Sequence, residues 1–131
     1  MSFKNTLLAI IVLFTFNIAN SQAKKFVIHT VAFYNLENFY DTINEPTTRD
    51  DEWVYNTNYY KKKIDNVAKV VAQLGSDENQ NLPTIVGFAE VEHKSVLEDL
   101  IKNPLLIKGD YGIVHYESPD KRGIDCFLCF I

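Results

Sequence analysis

Three short stretches of the chain carry residue types that could do chemistry. The first is "YNLEN", with Asn35, Glu37 and Asn38. The second is "FAEVEH", where an apolar run ends in Glu90, Glu92 and His93. The third runs from His115 through Glu117 and Arg122 to Asp125. Amide and carboxylate oxygens are hard donors, which suit Mg²⁺ or Mn²⁺ rather than zinc with its preference for His and Cys. Magnesium commonly takes only one or two protein carboxylates and leaves its other positions to water and phosphate. Glu90 and Glu92 have the same strand parity, so they can face the same side. Arg122 offers a planar fork for phosphate oxygens. Asp125 inside "IDCFLCF" would be costly to bury alone, and Arg122 is its obvious neighbour, so a structural ion pair stands beside the phosphate reading. An acidic residue after a strand is also commonly just a solvated loop residue.

These residues need elements to position them. Lys25–Leu36 is rich in β-formers and ends at "YNLEN". Asp41 to Asn58 is polar, contains Pro46 and reads as a loop. In Tyr59–Leu74, Ile64, Val67, Ala68, Val71 and Leu74 recur at helical spacing, with Lys61, Lys62, Lys63 and Lys69 assigned to the other face. Gly75 is placed to stop that helix. Thr84–Val91 is a second strand and His93–Ile101 a short helix. Tyr111–Tyr116 and Ile124–Ile131 are strands joined through the turn signals "SPD" and "RG", a hairpin pattern. Strands apolar on both faces call for cover on both faces, so the order β-loop-α-β-α-β-β predicts a layered α/β fold. In such sheets, sites gather at strand C-termini, where Asn35 and Glu90 fall.

The chain has 131 residues, enough for one domain at most. Seven Tyr, nine Phe and one Trp argue against disorder. A net charge of −4 excludes a general basic footprint for nucleic acid, although a bound metal would supply local positive charge. Residues 1–23 read as a signal peptide: Lys4, an apolar run from Leu7 to Phe16 broken by Thr15, then the small and polar residues Ala19 to Ala23. An uncleaved anchor is the alternative, with a run short for a membrane span. Export to the periplasm or outside the cell, with no stable membrane association after signal removal, is the expectation. Cys126 and Cys129 are three apart, so in a strand they point to opposite faces and do not pair with each other; both read as small core residues.

Taken in order, "FYNLENFYD", "IVGFAEVEH" and "YESPDKRGIDCFLCF" resemble the endonuclease/exonuclease/phosphatase family, the DNase I-like fold. The resemblance covers about Lys25 to Ile131 and implies a four-layered α/β sandwich, of which 24–131 would be the N-terminal half. It implies a Mg²⁺- or Mn²⁺-dependent phosphoesterase acting on a phosphodiester or phosphoester, nucleic acid included, as a monomer. It places Glu90, and more loosely Glu37, at the metal, and Asn35 and Arg122 at the phosphate. His115 falls on the substrate side, Glu117 in a region that supports the catalytic His, and Asp125 in a structural role. The Asp-x-Asn and terminal Asp-His motifs of the family's second half have no counterpart after the "RGID" run. The resemblance therefore also implies a truncated and inactive fragment, with an uncovered apolar sheet face or edge. The alternatives are a non-catalytic secreted module of the same fold and a phosphatase acting on lipid or small phosphoesters.

Overall fold

The computed structural model describes residues 26–44, 55–116 and 118–131, together with Lys4. Residues 1–3, 5–25, 45–54 and Glu117 lie outside the described residues, and with them the signal-peptide reading of 1–23 and much of the loop read between Asp41 and Asn58. The elements are β1 (Val31–Phe39), α1 (Thr57–Gln73), β2 (Ile85–Val91), α2 (Lys94–Ile101), β3 (Gly112–Tyr116) and β4 (Asp125–Phe130). They form one four-stranded sheet in the order β1-β2-β4-β3. β1 and β2 are parallel, and the other two pairings are antiparallel.

The first strand begins six residues later than the sequence pattern suggests and runs on through "YNLEN" to Phe39. Its register explains this. Val31 pairs with Ile85, the first residue of β2, and Pro83 just before has no N–H with which to extend the ladder. The hairpin of β3 and β4 forms as the turn signals imply, with His115 opposite Phe127.

Helix α1 is capped by Asn56, whose side chain accepts from the Tyr59 amide at 2.9 Å. Beyond its C-terminus Gly75 adopts φ +74°, and a Cβ there would lie 2.7 Å from the Thr30 side chain. Ile64, Val67, Ala68 and Val71 turn inward, as their spacing predicts. They meet Val96, Leu97 and Leu100 of α2 over Val86, Phe88 and Phe127 of the sheet, forming one core. Burying residues of this size contributes about 1.5–3 kcal/mol each, before the entropy of ordering is subtracted.

Both helices lie on that single face. Along β4 buried and exposed residues alternate strictly: Asp125, Phe127 and Cys129 face the helices, and Cys126, Leu128 and Phe130 face away. Cys126 is thus exposed, contrary to the core role read from sequence, while Cys129 is buried. The two cysteines do point to opposite faces. On the outer face Phe33 is 71% exposed and Tyr116 80% exposed, so among the described residues nothing covers it. The structure is thus a two-layer mixed α/β unit with one apolar sheet face open.

Candidate functional site

The parallel register brings the ends of β1 and β2 together, with Asn35 directly beside Ala89. Just past this pair both ladders become irregular: between Asn35 and Phe39 on β1, and between Ala89 and Val91 on β2. Bulges of this kind re-aim side chains and are enriched beside active sites. Three non-glycine residues here occupy the left-handed region: Glu37 at φ 53°, Asn38 at 54° and Glu90 at 61°. Each costs roughly 1–2 kcal/mol for an L-residue, somewhat less for asparagine. Such geometry persists only where the surroundings over-determine it.

Hydrogen bonds do this for Glu90. Asn35 Nδ2 donates to Glu90 Oε1 at 3.1 Å, and the Asn38 amide donates to Glu90 Oε2 at 3.1 Å. The Glu37 amide donates to Asn35 Oδ1 at 2.8 Å, so both ends of the Asn35 amide are committed in one orientation. The Glu37 carboxylate itself is exposed. The left-handed turn at Glu90 also breaks strand alternation, so Glu90 and Glu92 do not share a site as their parity suggested. Glu92 is only 2% exposed and accepts from the Asp41 amide at 2.7 Å.

Arg122 reaches the same rim from the β3–β4 turn. Its NH1 stands 3.4 Å from Asn38 Oδ1, at the long limit of a hydrogen bond. Its closer partner is Asp120, which accepts from the Arg122 amide at 2.8 Å, from Nε at 3.2 Å and from NH2 at 2.9 Å. These hydrogen bonds hold the Asp120 carboxyl below the usual carboxylate range. Arg122 therefore does not pair with Asp125, as adjacency in sequence suggested. Asp125 faces the helices, where its Oδ2 lies 2.7 Å from His115 Nε2 and its Oδ1 accepts from the Ser118 amide at 2.7 Å. The His115 ring stacks on Phe127, centroids 4.1 Å apart. A depression of about 190 Å³ is lined by Glu90, Ser118, Asp120, Arg122, Asp125 and Cys126, and among the described residues no histidine lines it. Asn35 and Glu37 open instead into a larger cleft of about 490 Å³ between β1 and α1, beside Tyr59, Lys62 and Lys63.

Sequence reasoning missed two features. Asp41, Glu92 and His93 bring one ligand atom each within 4.8 Å of one another, the one such group of three among the described residues. His93 Nδ1 lies 3.6 Å from Asp41 Oδ2 and 3.7 Å from Glu92 Oε2. The adjacency of Glu92 and His93 was visible in the sequence, but the approach of Asp41 was not. Lys63, assigned to the solvent face, is half-buried beneath the β1 bulge, where desolvation lowers its pKa against the opposing pull of Glu37 and Glu90. Helical spacing does not single it out: Lys63 borders the apolar stripe four residues before Val67, but Lys61, three before Ile64, borders it too and is exposed.

Residues 30–131 match the model of the Endonuclease/Exonuclease/phosphatase family. No curated protein and no solved structure matches the chain.

Proposed function

Because the chain belongs to the endonuclease/exonuclease/phosphatase family, we propose that its Glu90 rim is the cation- and phosphate-holding part of a phosphoester hydrolase. The observation that carries this reading is Glu90 itself: a carboxylate at φ 61°, at a parallel-strand C-terminus, held on each oxygen by one N–H. A carboxylate has about four lone-pair positions, so each oxygen keeps one for a hard cation. The free carboxylate positions of Glu90 thus fit Mg²⁺ or Mn²⁺, which can take a single protein carboxylate, whereas Glu37 lines the neighbouring cleft. Bound there, the cation would neutralise charge on phosphoryl oxygens.

The chain's own residues do the rest of the positioning. Arg122 lines the same depression as Glu90, and because Asp120 takes its Nε and one NH2 donor, the NH1 side of the guanidinium is what it offers to phosphate. Asn35 and the Asn38 amide orient Glu90 by donating to its two oxygens. His115 is directed at Asp125 and serves the turn that carries Ser118, rather than touching substrate.

Hydrolysis also needs a group to accept the proton of water, and general-base catalysis is typically worth about 10²–10⁴-fold. Among the described residues no histidine lines the depression. That favours a second reading, a phosphate-binding module of the same family with little turnover by this 131-residue chain.

Calorimetric titration with Mn²⁺ tests the first part. The chain is expected to bind, and Glu90→Gln to weaken binding by at least tenfold, about 1.4 kcal/mol. Unchanged affinity would reduce Glu90 to a loop residue. Hydrolysis of a generic phosphodiester with Mg²⁺ separates enzyme from binding module. Export is proposed on the residue pattern of 1–23, and N-terminal sequencing is expected to find a start near Gln22 or Lys24; an intact Met1 would refute it.

A further inference from the structure

Two consecutive left-handed residues, Glu37 and Asn38, present four backbone polar groups, of which a regular edge strand would have paired only two with β2. All four have partners. The amides are held from the site side, by Asn35 Oδ1 and by Glu90 Oε2. The carbonyls are held from the helix side, with Asn38 O accepting also from the Tyr40 amide at 3.1 Å. Lys63 Nζ donates to Glu37 O at 2.9 Å, and the Tyr55 hydroxyl donates to Asn38 O at 2.6 Å. Lys63 Nζ also donates to the Tyr55 hydroxyl at 3.1 Å, linking the two donors.

These donors are themselves fixed. The Lys63 ammonium lies 5.1 Å from the Phe39 ring centroid and 5.3 Å from that of Tyr55, within cation–π range. Tyr55 is wedged edge-on between two rings, with Tyr59 at 4.6 Å and Tyr40 at 6.3 Å. Its backbone amide donates to Asp41 O at 3.0 Å, tying it to the chain just after β1. In the lysine run, Lys61 and Lys62 are exposed and Lys63 alone is half-buried.

We propose that Lys63 and Tyr55 form a clamp that sets the left-handed turn at Glu37–Asn38 and so positions Asn35 and the Asn38 amide on Glu90. The clamp touches neither Glu90 nor the depression beside it; it acts through the carbonyls of the turn. Without it, the turn could relax toward ordinary strand geometry, which would swing the Asn38 amide away from Glu90. Lys63 and Tyr55 are therefore positioning residues for the cation and phosphate site, a role that rests on the reading of Glu90 given above.

Three variants test this. Lys63→Met keeps the stem over the rings but removes the donors, Tyr55→Phe keeps the ring but removes the hydroxyl, and Lys63→Arg keeps a cationic donor. Two readouts are taken on the full chain: the NMR amide shifts and HN–Hα couplings of Glu37 and Asn38, which report φ, and the Mn²⁺ dissociation constant. Lys63→Met and Tyr55→Phe are each expected to move the Glu37 and Asn38 signals while β3 and β4 stay unchanged. Both should weaken Mn²⁺ binding by about 10–100-fold, the usual effect of losing a group that orients a ligand, and Lys63→Arg should recover most of it. Signals and affinity unchanged in both variants would overturn the clamp, as would an affinity loss with the turn signals unmoved. If the parent chain binds no Mn²⁺ while the turn signals still collapse, the clamp on the turn stands and the cation reading of Glu90 fails. Should Lys63→Met lose the dispersed spectrum of the whole sheet, Lys63→Gln decides by the same two readouts; should Tyr55→Phe do so, the Lys63 variants decide.

Discussion

Asn35 and Glu90 lie 55 residues apart in sequence and meet across adjacent parallel strands, with Asn35 Nδ2 donating to Glu90 Oε1 at 3.1 Å. The contact exists because β1 and β2 each depart from regular pairing at this level. A carboxylate on a regular β2 would project above or below the sheet. The left-handed Glu90 is turned instead toward the neighbouring strand end, and that sets up the first prediction.

Glycine adopts φ +61° without the Cβ penalty that other residues bear. Glu90→Gly and Glu90→Ala both remove the carboxylate and its two hydrogen bonds, so they differ mainly in backbone strain. Glu90→Gly is expected to be the more stable of the two by about 1 kcal/mol in urea denaturation. Both should lose Mn²⁺ binding. Equal stability would show that Glu90 carries no left-handed strain in solution.

Asp125 is 8% exposed, and its carboxylate serves both His115 and the Ser118 amide. Asp125→Ala leaves two donors near the core without their acceptor. The expected loss is about 1–3 kcal/mol of stability. The Ser118–Arg122 turn should loosen as well, seen as faster amide exchange at Ser118 and Arg122. A loss below about 0.5 kcal/mol, the range of ordinary surface substitutions, would contradict the network.

Burial pushes the Cys129 thiol from its ordinary 9.0 up to about 12. It likewise raises the Tyr111 phenol from 10.0 to about 12, and Tyr55 to about 12. A raised folded pKa in an acid means that the unfolded chain ionises first. Stability is therefore fully present below the unfolded values, near pH 9, and is lost as pH rises toward about 12. Thermal unfolding across that window should show a falling midpoint. At pH 8, iodoacetamide should modify the exposed Cys126 and leave Cys129 untouched in the folded chain, as mass spectrometry would resolve. Rapid labelling of both would contradict the packing of β4.

Much of the architecture was legible in the sequence. The spacing of Ile64, Val67, Ala68 and Val71 predicts both the helix and its inward face, because helical periodicity is local. The hairpin of β3 and β4 follows from turn residues and strand formers, which act over a few residues. Strand limits were less legible: β1 begins where β2 begins, and its partner is more than fifty residues away.

The site divides along the same line. Composition and order alone determined that Glu90 falls at a strand end, that Arg122 precedes the last strand, and which family the three motifs resemble; Asn35, read as a strand end, lies inside β1 just before its bulge. Pairing between side chains was decided by tertiary structure. Arg122 and Asp125 are three apart in sequence, yet Asp125 sits in a strand facing the helices and Arg122 in an exposed turn, so each finds a different partner. Glu90 and Glu92 have the same parity, but one left-handed residue cancels it. Lys63 belongs to a run that reads as solvated, and only the packing of α1 against the β1 bulge brings its ammonium to the Glu37 carbonyl. Local pattern determines which face of an element is apolar. Which polar groups meet depends on how two elements lie against each other, and that is set by the whole core at once.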